Sequence, residues 1–216
     1  MTFNNLVFFI PTILELQKTL NIYDIKKEHP FIYATYRETP FILTGIGKSA
    51  AAAISAIFHT KYKPNTSVLT GICGAYKGSG LNIGDIVSIK YDYLADEAVY
   101  DGINITTMHE KNFSPAPENR GEFAVWDDYM EINSNTVSLI PYYDDLSEQY
   151  RKKTAAKAEN MEGAAFALAA NIMEIKPYHI RSVSNFCGNI NTQKWDTKKA
   201  FKSLKKAIDE IISKHS

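Results

Sequence analysis

The hydrophobic pattern alternates between short, continuous apolar runs and stretches with helical spacing. Leu6-Val7-Phe8-Phe9-Ile10 is an unbroken apolar run of strand length, too short to cross a bilayer. It lacks the basic flank and the cleavage site of a secretory leader, so it reads as a buried first strand. After Pro11, apolar residues take helical spacing from Ile13 to Leu20, and Thr12 and Glu15 stand at the Thr-x-x-Glu spacing of a capping box. Phe31 to Tyr36 and Pro40 to Thr44 predict a hairpin turning at Glu38-Thr39. Gly45-Ile46-Gly47-Lys48 leads into a predicted helix from Ser49 to Thr60, whose Ala50–Ala53 run permits close packing on a sheet. Ser67 to Thr70 predicts a buried strand ending in Gly71-Ile72-Cys73-Gly74-Ala75. Beyond the Gly78-Ser79-Gly80 turn, Ile86 to Tyr93 predicts another.

The second half is less regular. Residues 101–130 hold Pro115, Pro117 and two glycines and read as a long surface excursion, the kind of segment that forms lids or contact surfaces. Ile132 to Ile140 predicts a strand. Ser147 to Ala158 predicts a helix, and Glu159 to Glu174 a second, central one. Tyr178 to Ser184 predicts the last strand and Asp196 to Lys214 the final helix.

Strands thus alternate with helices. That order predicts one α/β domain over residues 1–216, a three-layer αβα arrangement around a central mixed sheet. In such sheets ligands collect beyond the carboxyl ends of the strands. Glu15, Gly45, Gly71–Gly74, Thr136–Ser138 and Asn185 all fall just after predicted strands, so residues far apart in sequence converge on one sheet edge.

Composition narrows the function classes. A chain of 216 residues, 45% hydrophobic, can build its core without a disulfide or metal. Its formal net charge of zero advertises no nucleic-acid surface. The lysines of 198–206 interleave with Phe201, Leu204, Ile208, Ile211 and Ile212 and read as the solvated face of an amphipathic helix. Cys73 and Cys187 lack metal-ligand spacing and read as reduced, buried thiols of a cytoplasmic protein. No membrane span and no metal site are expected.

Several candidates have ordinary structural explanations. Glu15 would satisfy backbone donors as the third residue of a capping box, and Glu162 would stabilise the first turn of a helix. Asn185 could close a strand. Gly45-Ile46-Gly47-Lys48 lacks P-loop spacing and reads as a tight strand-to-helix turn. The glycines of Gly71-Ile72-Cys73-Gly74 allow backbone to approach a flat ligand. Cys73, among apolar neighbours, is a poor nucleophile. Arg181, inside a strand pattern, reads as structural.

Taken together, Thr44-Gly45-Ile46-Gly47, Gly71-Ile72-Cys73-Gly74-Ala75-Tyr76, Leu81-Asn82-Ile83-Gly84-Asp85, Ala95-Asp96-Glu97, Asn135-Thr136-Val137-Ser138, Glu159-Asn160-Met161-Glu162-Gly163-Ala164-Ala165, Arg181-Ser182-Val183-Ser184-Asn185 and Trp195-Asp196 resemble the purine nucleoside phosphorylase and nucleosidase superfamily over nearly the whole chain. Within it, the Glu-Asn-Met-Glu-Gly-Ala-Ala form followed by Ser-Asn resembles the futalosine hydrolase family. The resemblance implies a nucleoside phosphorylase-like fold and cofactor-free hydrolysis of a nucleoside. Glu15 would activate water, Glu162 would hold the ribose hydroxyls with Met161 beside the sugar, and Asn185 would bind the purine. Methylthioadenosine nucleosidases have an Asp at the last position. An amide there favours a 6-oxopurine, since its NH2 can serve N7 or the 6-oxo oxygen. Gly74, Val137, Tyr142 and Asn160 complete the implied substrate-binding set, with Tyr142 as an aromatic wall for the base. The stretch Phe186 to Lys194 carries less charge than the family pattern leads one to expect. A homo-oligomer, with a dimer as its expected form, is implied as well.

Overall fold

The computed structural model describes residues 3, 5–102, 104–113, 119–140 and 144–215. Its first strand, β1 (Leu6–Ile10), lies at the middle of the sheet and is wholly buried. Side chains alternate across a strand, and both sides of β1 are apolar for that reason. Leu6, Phe8 and Ile10 face a cluster containing Leu16 and Leu20 of α1 (Ile13–Leu20) and Leu204, Ile208, Ile211 and Ile212 of α5 (Thr197–His215). Val7 and Phe9 face the opposite cluster, with Phe58 of α2 (Lys48–Tyr62) and Phe166 of α4 (Gly163–Asn171). This is the three-layer αβα arrangement expected from the order of elements.

The remaining strands are β2 (Lys26–Glu28), β3 (Phe31–Tyr36), β4 (Thr39–Leu43), β5 (Thr66–Ala75), β6 (Ile86–Leu94), β9 (Arg120–Glu122), β10 (Met130–Thr136), β11 (Ala158–Asn160) and β12 (Tyr178–Phe186). Hydrogen-bonded neighbours run β11-β10-β6-β12-β5-β1-β4-β3-β2, with β9 on β6. β11 also pairs with β5. The strands β5, β12, β6, β10 and β11 therefore close into a ring, which removes the free edges there. A separate hairpin joins β7 (Ala98–Tyr100) to β8 (Ile105–Thr107). α3 (Asp144–Thr154) precedes β11.

Several sequence expectations shift. The β3–β4 hairpin turns at Arg37-Glu38, both with positive φ (47° and 64°), one residue earlier than expected. The strand expected over 132–140 runs from Met130 to Thr136, and the helix expected over 147–158 is α3, ending at Thr154. The central helix begins at Gly163 and not at Glu159. Residues 158–160 form a strand instead, because β10 and β5 offer backbone partners on both sides, and tertiary pairing overrides the helical pattern. The 101–130 segment is not a pure surface excursion: Phe123 is buried in one core cluster and Trp126 in the other. Pro115 and Pro117 lie outside the described residues. No helix among the described residues is long and apolar enough to cross a membrane.

Candidate active site

The site forms where the carboxyl ends of β1, β5 and β12 meet the start of α4. Thr12 caps α1: its hydroxyl accepts from the Glu15 amide at 3.0 Å and donates to Glu15 Oε2 at 2.9 Å. Only the Thr12 half of the expected capping box forms, since the Glu15 carboxylate accepts from the Thr12 hydroxyl and not from its backbone amide. Glu15 Oε1 accepts from the Ile72 amide of β5 at 3.2 Å, and the side chain lines the pocket. Burial raises the Glu15 pKa, with Arg181 opposing the rise and Glu162 adding to it. The group has the character of a base held ready by its surroundings.

Glu162 stands at the N-terminal end of α4. Its Oε2 accepts from Arg181 Nη2 at 3.0 Å, and its Oε1 from the Gly47 amide at 3.2 Å. The Gly45-Ile46-Gly47-Lys48 turn thus delivers a backbone donor to a carboxylate, with positive φ at both glycines. Asn160 orients the same segment. Its Oδ1 accepts from the amides of Glu162 and Gly163, while its Nδ2 donates to Asp92 Oδ2 at 2.7 Å. Asn160 lines the pocket with its side chain already committed to holding Glu162 in place.

Arg181 is a site residue that sequence reasoning assigned to structure. Besides Glu162, it donates to the Ile72 carbonyl at 3.0 Å and to His179 Nε2 at 2.7 Å. His179 is therefore neutral at Nε2, and burial together with the adjacent guanidinium pushes its pKa well down. Behind it lies Asp92, whose Oδ2 is 3.5 Å from His179 Nδ1. Burial pushes the Asp92 pKa up to about 6, against hydrogen bonds from Asn160, Ser134 and Thr136. The signal in the sequence was an arginine inside an otherwise buried strand, which requires a carboxylate partner.

Asn185 ends β12. Ser184 Oγ donates to its Oδ1 at 2.8 Å, and its Nδ2 donates to Gln193 Oε1 at 2.9 Å. Gln193 is held in turn by its own donation to the Gly188 carbonyl at 2.8 Å. Asn185 Nδ2 also approaches the Phe186 carbonyl at 3.5 Å, a weak contact, and the side chain lines the pocket.

One pocket brings together Glu15, Gly74, Val137, Asn160, Met161, Glu162 and Asn185, all from the sequence-derived set. Tyr142 lies outside the described residues. Arg181, Glu159, Gln193 and Trp195 join the lining without having been singled out as site residues. Cys73 also lines it, but burial pushes its thiol pKa up to about 12, so it is no nucleophile. Cys73 and Cys187 are both free and buried. Among the described residues no cluster of His, Cys, Asp and Glu has the arrangement of a metal site.

The fold is shared with solved nucleosidases. The methylthioadenosine nucleosidase of Arabidopsis thaliana superposes with a TM-score of 0.76 at 15% identity, over 100% of this chain and 97% of that one. A futalosine hydrolase mutant of Helicobacter pylori gives 0.76 at 13% identity, over 98% and 99%. In sequence, the chain is 27% identical over 198 residues to futalosine hydrolase of Thermus thermophilus, covering 85% of this chain and 88% of that protein. It is 29% identical over 192 residues to the 5′-methylthioadenosine/S-adenosylhomocysteine nucleosidase of Maridesulfovibrio salexigens, covering 79% and 81%. No protein-family profile matches the chain. The architecture is the αβα fold of these solved structures. In sequence the chain is thus similar to both a futalosine hydrolase and a methylthioadenosine/S-adenosylhomocysteine nucleosidase, and it shares its fold with solved members of both groups.

Proposed function

We propose that this protein hydrolyses the N-ribosidic bond of futalosine, releasing hypoxanthine and dehypoxanthine futalosine as a step in menaquinone biosynthesis, without a cofactor. The observation that carries the substrate choice is the Asn185 amide. The side chain lines the pocket, and its NH2, of which Gln193 Oε1 takes one hydrogen at 2.9 Å, is a donor for the base. A 6-oxopurine offers acceptors at N7 and O6 to such a donor, and a site built around that hydrogen bond discriminates strongly.

In this reading the C1′–N9 bond breaks with its electron pair passing to the base, and the sugar gains oxocarbenium character. The base leaves as an anion that the Asn185 NH2 stabilises, and it takes a proton from water to become neutral hypoxanthine. Glu162, held by Arg181 and the Gly47 amide, binds the ribose hydroxyls and supplies negative charge near the developing cation. That charge favours the transition state over the ground state. Glu15 takes the proton of the water that attacks C1′, a task its raised pKa suits.

The similarity to a methylthioadenosine/S-adenosylhomocysteine nucleosidase at 29% identity supports a second reading, in which the base is adenine. Purified protein incubated with futalosine and with methylthioadenosine, with and without phosphate, separates the readings by the free base released. Hypoxanthine from futalosine in phosphate-free buffer is the expected result. Adenine from methylthioadenosine alone would transfer the assignment to the second reading, and a phosphate requirement would make the enzyme a phosphorylase.

A further inference from the structure

Glu162 is held at both its ends by a single closed ring of side chains. Its Oε2 accepts from Arg181 Nη2 at 3.0 Å, and Arg181 Nε donates to His179 Nε2 at 2.7 Å. His179 Nδ1 faces Asp92 Oδ2 at 3.5 Å. The same Oδ2 accepts from Asn160 Nδ2 at 2.7 Å, and Asn160 Oδ1 accepts from the Glu162 backbone amide at 3.0 Å. The ring therefore leaves Glu162 by its carboxylate and returns to it by its main chain. It joins β6, β11 and β12 to the start of α4, and none of its members is more than 5% exposed.

A need for stability does not explain this ring. Burying two carboxylates, a guanidinium and an imidazole carries a desolvation cost, and apolar side chains of similar volume would pack at least as well. Apolar surroundings are at hand, since the His179 ring lies against Phe123 with 4.6 Å between centroids. What the ring supplies is orientation. A carboxylate that binds a ligand must be placed to within about 0.5 Å by neighbours that are themselves fixed. Arg181 can do this for Glu162 only if its own fork cannot turn. The Ile72 carbonyl takes Nη1 at 3.0 Å, and His179 takes Nε. Because His179 Nε2 accepts, the hydrogen of the neutral ring sits on Nδ1, toward Asp92. Asp92 is anchored in turn by the Thr136 hydroxyl at 2.8 Å. Neither His179 nor Asp92 lines the pocket.

We propose that His179 and Asp92 are positioning residues for ribose recognition. From behind the pocket they hold Arg181 and Asn160, and through these the Glu162 carboxylate that meets the ribose hydroxyls. This rests on the ribose-binding reading of Glu162 and holds whichever base is bound.

The test is calorimetric binding of two nucleosides, each beside its own free base: futalosine with hypoxanthine, and methylthioadenosine with adenine. Glu15→Gln serves as the parent in every case, to slow turnover. For at least one pair the parent is expected to bind the nucleoside about 10-fold or more tightly than the base. His179→Phe keeps a ring against Phe123 but offers Arg181 no acceptor. It should weaken the nucleoside by about 10-fold and the base by less than about 3-fold. His179→Gln, whose Oε1 can accept from Arg181 Nε, should return the nucleoside to within about 3-fold of the parent. Asp92→Asn sets an NH2 where Asp92 only accepts, and it should likewise weaken the nucleoside and spare the base. It is the safeguard if His179→Phe does not fold. Equal losses for nucleoside and base, no loss in a folded variant, a glutamine no better than phenylalanine, or a parent that binds neither nucleoside better than its base would overturn the proposal. Release of adenine and not hypoxanthine by the wild type would sink the futalosine reading alone, because both nucleosides carry the hydroxyls that Glu162 is to meet.

Discussion

Arg181 reaches Glu162 across the floor of the pocket, Nη2 to Oε2 at 3.0 Å, with both side chains almost wholly buried. A buried ion pair is weak evidence for stability when whole, but breaking it from one side leaves an uncompensated charge. Arg181→Met should therefore destabilise the protein by about 3–5 kcal/mol, read by urea unfolding, and disable whatever Glu162 does. Arg181→Lys keeps the charge but loses the fork that serves Glu162, His179 and the Ile72 carbonyl together. It should recover part of the stability and little of the activity. Wild-type unfolding midpoints in Arg181→Met would show that the pair is unimportant.

Gly163 opens α4 with Asp92 pressed against it. A Cβ there would overlap Asp92 Oδ2 and come within 2.5 Å of His179 Cε1. Neither can retreat, since Asp92 also accepts from Thr136 and Asn160. Gly163→Ala should lose at least about 1–3 kcal/mol, as overpacked cores do. Gly102→Ala is no control, because its φ of 95° strains any side chain. Ala165→Gly serves better, as it tests α4 without adding volume. A Gly163→Ala protein no less stable than the wild type would contradict this packing.

Glu15 gives a pH prediction whose sign follows from its raised pKa. As a base it must be ionised, so activity falls as pH drops through that pKa. The acid limb of kcat/KM should therefore lie above the ordinary carboxylate range of about 4.3. Glu15→Gln should lower kcat by about 10²–10⁴-fold and abolish that limb in the residual rate. Linkage runs the same way. A carboxyl whose folded pKa is raised stabilises the fold most below its unfolded pKa and loses that contribution as pH rises through the folded value. Asp92, fully buried with its pKa near 6, should show this as a loss of stability between about pH 4 and pH 6. Urea midpoints measured across that window in wild type and Asp92→Asn check it: the variant's slope should be the flatter.

The parts legible in the sequence were those with local signatures. Thr12 and Glu15 announced both a helix start and a strand-end carboxylate, and the unbroken apolar run of β1 announced a buried strand. β11 was illegible for a physical reason. Three residues carry no periodicity of their own, and their extended state depends on β5 and β10, far away in sequence. The alanine-rich helix that follows made the wrong period attractive. Arg181 was visible but uninterpretable until Glu162, His179 and the Ile72 carbonyl surrounded it.

Asn185→Asp tests the base-reading amide from the other side. In the wild type, Nδ2 donates to Gln193 Oε1, and Gln193 cannot simply turn over because its Nε2 is tied to the Gly188 carbonyl. An aspartate would set a carboxylate oxygen against Gln193 Oε1, two acceptors at hydrogen-bond distance. The Ser184 hydroxyl can satisfy only the other oxygen. The new carboxyl relieves the conflict by binding a proton, so its pKa should rise above the ordinary aspartate value of about 3.9. Once protonated, it has a single hydrogen for either Gln193 or the base, whereas the wild-type NH2 has two, the second held only weakly by the Phe186 carbonyl at 3.5 Å. On the proposed function, cleavage of futalosine should fall by about 10–10³-fold in kcat/KM, and the remaining activity should decline as pH rises through the new pKa. Asn185→Ala, with no donor, should lose as much but show no such decline. Identical pH profiles for the two variants would mean that the introduced carboxyl does not donate, and that Ser184 and Gln193 do not orient this position as their hydrogen bonds indicate.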